Sequence, residues 1–124
     1  MTKLLSGRRI LVVEDEFIIL LMIEHKLKEL GCESVTAAAT IDKALALIEG
    51  NVFDAAMVDM NLKGQDSRPV TDALAARGVP FMYCTGNRVE DTMVALIDRP
   101  VLRKPIQSED LVDILTRLLS RAPV

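Results

Sequence analysis

The sequence predicts an α/β fold, a doubly wound parallel sheet of five strands with helices on both faces. Three observations predict it. Short apolar runs rich in β-branched residues alternate with longer stretches of helical period, five times over. The segments between them are short, so successive strands run parallel and are joined by right-handed helical crossovers. Finally, the runs end in residues that carry chemistry, Asp15, Asp59, Thr85 and Lys104. An open parallel sheet binds ligands outside the carboxyl ends of its strands.

Arg8 to Val13 reads as a buried strand that ends in three carboxylates, Glu14, Asp15 and Glu16. Phe17 to Leu30 follows as a helix, with Gly31 as the residue after its C-terminus. The first half of that helix, Phe17 to Ile23, is apolar without interruption, more than one sheet face can cover. Two readings follow. Either the helix is wedged between the sheet and the last helix, or part of the run is an exposed docking surface beside the carboxylates. Ser34 to Ala39 is a weaker, half-polar strand that suits a sheet edge. Thr40 caps a helix with Ile41, Ala44, Leu45 and Ile48 at helical spacing and Gly50 as its stop.

Phe53 to Val58 is the third strand and delivers Asp59. An aspartate after a strand is also an ordinary turn former, so Asp59 gains weight only from the other strand ends. Asn61 to Arg68 reads as a loop, and Pro69 sits in the first turn of a short helix through Val70, Ala73, Leu74 and Arg77, ended by Gly78. Pro80 to Cys84 is the fourth strand and runs into Thr85-Gly86-Asn87. Val89 to Ile97 reads as a short helix with a loose entry, expected to be mobile. Pro100 to Arg103 is the fifth strand, before Lys104-Pro105. Ser108 is expected to cap the last helix, with Glu109 and Asp110 in its first turn. Its wide apolar face comprises Leu111, Val112, Ile114, Leu115, Leu118 and Leu119.

These elements make one domain over residues 1–124, with its core at about residues 8–119. Half of the 124 residues are hydrophobic, enough for a core without staples. With no Trp, three Phe and one Tyr, aliphatic residues must fill it. The net charge is −3 and no basic stripe appears, which argues against direct nucleic-acid binding. No signal peptide or long apolar span is visible, so a cytoplasmic protein without a membrane partner is expected. Cys32 and Cys84 lack metal or redox spacing and read as buried thiols.

A flavodoxin-like strand order, 2-1-3-4-5, sets the first and third strands side by side. Asp15 and Asp59 then meet at one sheet edge with Glu14 close by. Carboxylates so placed repel, and a small hard cation resolves this; two carboxylates with carbonyl and water oxygens suit Mg²⁺. No His or Cys joins them, which disfavours zinc. Thr85 and Lys104 end the next two strands. A hydroxyl, an ammonium and a cation around a carboxylate form a pocket for a phosphoryl group. Asp59 is then the nucleophile, and Mg²⁺ and Lys104 neutralise the phosphoryl oxygens while Thr85 donates a hydrogen bond.

On Glu14-Asp15, Asp59, Thr85 and Lys104-Pro105 the chain resembles the receiver domains of two-component response regulators, from about Arg8 to Leu119. The resemblance implies a switch that accepts a phosphoryl group on Asp59 from a sensor histidine kinase or histidine phosphotransfer protein. It would then signal to a downstream protein or act as a phosphate relay or sink. It further implies that Asp15, Asp59 and the backbone carbonyl of Asn61 bind Mg²⁺, with Glu14 acting through water, and that Lys104-Pro105 is cis. The run from Pro80 to Gly86 is similar to a Phe-x-x-x-Thr-Gly subgroup of stand-alone receivers paired with HWE-type kinases. With Val124 as the last residue, a stand-alone receiver without a DNA-binding effector is expected. As a receiver it would catalyse only its own phosphorylation and dephosphorylation. Departures are Val101 where the family has an aromatic, Gly86 where Ala is common, Lys63 in place of a proline, and no Tyr shortly after the Gly. Two other classes are a small Mg²⁺-dependent aspartyl-phosphate phosphohydrolase and a phosphorylation-independent interaction domain. The first wants an acid where Asn61 stands; the second has no need of the acidic pair.

Overall fold

A computed structural model describes residues 3–62, 65–86 and 99–120. The elements are β1 (Arg9–Val13), α1 (Phe17–Glu29), β2 (Ser34–Ala38), α2 (Ile41–Gly50), β3 (Ala55–Asp59), β4 (Asn61–Leu62), β5 (Gln65–Asp66), α3 (Arg68–Ala76), β6 (Phe81–Thr85), β7 (Val101–Arg103) and α4 (Ser108–Ser120). The expected helix at Val89 to Ile97, its expected mobility, and Lys63, Asn87 and the last four residues lie outside the described residues.

The main sheet has the order β2-β1-β3-β6-β7, and every pair in it is parallel. This is the flavodoxin-like order expected. Its register aligns Val13 with Val58 and Asp59 with Cys84, so the ends of β1, β3 and β6 open on one edge. The half-polar β2 is an edge strand, as its alternation required.

Strand alternation divides the core into two layers. Ile10, Val12, Met57, Met82 and Leu102 pack with Ile23 and Leu27 of α1 and Leu111, Leu115 and Leu118 of α4. Leu11, Val13, Ala56, Val58 and Phe81 face Ala44 and Ile48 of α2 and Val70 and Leu74 of α3. β3 is buried at all five positions, and its first four, Ala55 to Val58, are all apolar, as a strand covered on both faces should be.

Several local expectations hold. Thr40 Oγ1 accepts from the Lys43 N–H at 3.2 Å, and Gly31 follows α1 with φ +92°. A Cβ there would also sit 2.7 Å from Lys3 Cβ, so conformation and packing both demand glycine.

Others are corrected. Gly50 is the last residue of α2, and the turn is closed by Asn51, whose Nδ2 donates to Leu47 O at 3.0 Å. Ser108 lies within α4, and its hydroxyl accepts from Lys26 Nζ at 2.7 Å, tying α4 to α1; the first helical bond runs from the Leu111 N–H to Gln107 O. The loop after Asp59 contains a short antiparallel pair, β4 with β5, too brief to leave a period-two signal. Cys84 is buried, whereas Cys32 is half-buried and its thiol donates toward Arg8 O and Ser34 O.

Candidate functional site

Each site residue is placed by the strand it follows. The Glu14 N–H donates to Ala38 O at 3.0 Å, extending the sheet ladder by one residue and carrying the side chain into the protein, where it is 2% exposed. Asp15 beside it is half-buried. Asp59 and Thr85 are the last residues of β3 and β6, and both are buried. The Lys104 N–H donates to Thr85 O at 2.8 Å, which fixes where its side chain starts, and the Lys104-Pro105 bond is cis. Gly86 leaves room for the lysine stem: a Cβ there would lie 3.4 Å from Lys104 Cδ.

Lys104 Nζ lies 2.8 Å from Glu14 Oε1, 3.2 Å from Asp59 Oδ2 and 3.7 Å from Glu16 Oε1. Oxygens from Glu14, Asp15, Glu16 and Asp59 all lie within 4.8 Å of one another. Among the described residues, the Lys104 ammonium pairs with three of these four carboxyl groups, Glu14, Glu16 and Asp59. Burial, and then the contact with Asp59, push the Glu14 carboxyl up to about 7, against the pull of Lys104 and of the Glu16 N–H on its Oε2. For Lys104, burial works against the charge, but Glu14 and Asp59 outweigh it, and its pKa rises above the usual lysine value. The ammonium stays charged.

The residues fit a hard divalent cation. The donors are all oxygens, no His or Cys is among them, and Glu14 Oε1 is buried without an aligned hydrogen bond despite its nearness to Lys104. Such a set suits Mg²⁺ and not zinc. Asn61, two residues past Asp59, lies in β4. Glu14, Asp15, Asp59 and Lys104 thus meet at one edge, with Thr85 at the end of the neighbouring strand. Glu16 was read only as one of three carboxylates at a strand end; its approach to Lys104 and the Tyr83–Thr71 hydrogen bond between β6 and α3 were not expected.

The apolar run of α1 is mostly outside the core. Phe17 and Ile18 are 68% and 71% exposed, Leu21 and Met22 are each 47% exposed, and only Ile23 of the run is buried. Between α1 and the segment after β7 lies a groove of about 340 Å³, lined by Ile19, Met22, Gly86, Lys104, Pro105 and Ile106. The apolar face therefore adjoins the carboxylate edge.

Residues 10–116 match the family model described as the response regulator receiver domain. The transcriptional regulatory protein TcrA of Mycobacterium tuberculosis is 32% identical over 96% of this chain and 49% of its own length, so the chain spans about half of the curated relatives it matches. The solution structure of SdrG from Sphingomonas melonis Fr1 is 40% identical and superposes with a TM-score of 0.80, covering 94% of this chain and 98% of that one. The receiver domain of the sensor histidine kinase PA1611 from Pseudomonas aeruginosa PAO1 is 28% identical, with a TM-score of 0.81 over 94% of this chain and all of that one. That structure has a magnesium ion coordinated in its active-site cleft.

The fold and the edge define a class, α/β domains that gather acidic residues and a lysine at the carboxyl ends of a parallel sheet. Within it, the chain belongs to the response regulator receiver family of two-component systems. Receiver domains serve phosphorylation-dependent signalling, interact with histidine kinases or phosphotransfer proteins, and bind Mg²⁺ at the acidic site. Among the described residues, no helix is long and apolar enough to cross a membrane.

Proposed function

We propose that this chain is a phosphorylation switch that accepts a phosphoryl group on Asp59 from a phosphohistidine. The observation that carries the reading is the position of Asp59: at the end of β3, 3.2 Å from Lys104 Nζ and inside a cluster of four carboxyl groups. An Asp59 oxygen attacks phosphorus, the P–N bond to the donor imidazole breaks, and the imidazole leaves with its proton as a neutral ring. Asp15, Asp59 and the Asn61 carbonyl, with Glu14 through water, would hold Mg²⁺, which would neutralise charge on the phosphoryl oxygens. Lys104 loses its contact with Asp59 Oδ2 and holds a phosphoryl oxygen instead; Thr85 donates to another. The chain turns over nothing but its own phosphoryl group.

The donor is a histidine kinase or phosphotransfer protein that presents its histidine on a helix. The exposed face of α1 and the adjoining groove support docking of such a helix, since Phe17, Ile18, Leu21 and Met22 are exposed and Met22 lines the groove together with Lys104. The output is a protein partner, or the phosphoryl group passes on through a relay. The test is transfer of labelled phosphate from a phosphorylated kinase in the presence of Mg²⁺. Wild type is labelled and Asp59→Asn is not; equal labelling of both would remove Asp59 as the acceptor.

A further inference from the structure

Tyr83 is the only tyrosine in the chain, and it stands two residues before Thr85 on the same face of the sheet. Its ring packs edge-on against Phe81, with centroids 5.7 Å apart at 87°, and the Arg99 guanidinium covers Phe81 at 4.5 Å. So held, the Tyr83 hydroxyl donates to Thr71 Oγ1 at 3.3 Å, and the Thr71 hydroxyl donates to Arg68 O at 3.1 Å. Thr71 is only 4% exposed, so its hydroxyl depends on these partners.

Arg68 opens α3 and grips Asp66 three ways. Its N–H donates to Asp66 Oδ1 at 2.9 Å, and its Nε and Nη2 lie 3.0 and 2.9 Å from Asp66 Oδ2. Asp66 is in turn the register partner of Asn61 across the β4–β5 pair. The polar chain leaves β6 at Tyr83, crosses the first turn of α3 and returns to the strand that begins two residues after Asp59.

We propose that Tyr83 is a positioning residue for the cation edge. Through Thr71, Arg68 and Asp66, its hydroxyl holds the Asn61 backbone where that carbonyl completes an oxygen set with Asp15 and Asp59. This rests on the reading of the edge as a Mg²⁺ site. The chain of contacts runs both ways: a cation that fixes Asn61 also fixes the first turn of α3 and the environment of Tyr83. With no tryptophan in the protein, the near-ultraviolet tyrosine band reports on Tyr83 alone.

The test is calorimetric Mg²⁺ titration of the full chain as wild type, Tyr83→Phe, Thr71→Val and the double variant, with urea midpoints measured alongside. Each single change weakens Mg²⁺ binding by roughly threefold or more, the loss of one link in a hydrogen-bonded chain. The double variant is no weaker than the worse single, because both break the same chain. Mg²⁺ also changes the wild-type tyrosine band with the calorimetric midpoint, which decides the matter if a variant fails to fold. Wild-type Mg²⁺ affinity in both single variants overturns the proposal whatever their stability, as does a tyrosine band that Mg²⁺ leaves unchanged. A wild type that binds no Mg²⁺ removes the cation reading itself, and the positioning role with it.

Discussion

Replacing Asp59 with Asn is expected to stabilise the protein, and the site geometry sets how much. Oxygens of Glu14 and Asp15 lie within 4.8 Å of Asp59, so each pair repels by at least about 3.5 kcal/mol at an effective dielectric of about 20. Lys104 at 3.2 Å returns about 5 kcal/mol on the same scale. The repulsions from Glu14 and Asp15 exceed the Lys104 attraction by roughly 2 kcal/mol, and Glu16, within the same 4.8 Å, adds to them, before the cost of burying a carboxylate that is 5% exposed. Asparagine keeps the shape and an acceptor for Lys104, which remains paired with Glu14 at 2.8 Å. Well above pH 7, where Glu14 is ionised, the variant should gain about 1–2 kcal/mol without Mg²⁺, allowing for screening. Urea denaturation reads this as a higher midpoint at unchanged slope. Saturating Mg²⁺ should erase or reverse the gain, because the ion stabilises a native wild type that supplies both carboxylates. If the variant is instead less stable by 1 kcal/mol or so, or the gain ignores Mg²⁺, the ion pair with Lys104 dominates and a repulsive cation edge is the wrong description.

Mg²⁺ affinity should rise with pH up to about 7 and then level off, because the ion competes with the proton on Glu14; titrations in buffers of different ionisation enthalpy would show the released proton. The same carboxyl has a stability consequence. Its pKa is raised in the fold, so the native state binds more protons than the unfolded chain between the ordinary value of 4.5 and about 7, and apoprotein stability should fall as pH rises through that window. Ile18→Ser and Leu21→Ser should leave the urea midpoint within about 0.5 kcal/mol of wild type, since both residues are exposed, yet slow phosphotransfer from the kinase. A matching loss of stability would return the α1 face to the core. Thr40→Ala should cost about 1 kcal/mol through loss of the α2 cap without touching Mg²⁺ binding, a control for effects that act only through stability.

What the chain determines locally was legible in it. Unbroken apolar runs marked β1 and β3 as central strands, half-polar alternation marked β2 as an edge, and Thr40 and Gly31 marked helix ends, because each feature acts through neighbours a few residues away. The site residues were legible for a related reason. Once the strand order is set by right-handed crossovers, strand ends must meet, and Glu14, Asp15, Asp59, Thr85 and Lys104 stand at strand ends. Contacts at long separation were not legible. Ser108 looked like a helix cap and proved a partner of Lys26, 82 positions away, because a hydroxyl serves either role and only packing chooses. For the run from Phe17 to Ile23 the sequence favoured burial between sheet and last helix over docking; the core takes Ile23 and leaves four large side chains in solvent. Sequence alone picked out the groups for which phosphoryl chemistry is proposed. Only the tertiary structure decided that Lys104 reaches Glu14, Glu16 and Asp59 together, since the charges gathered in one place depend on where the strands end together.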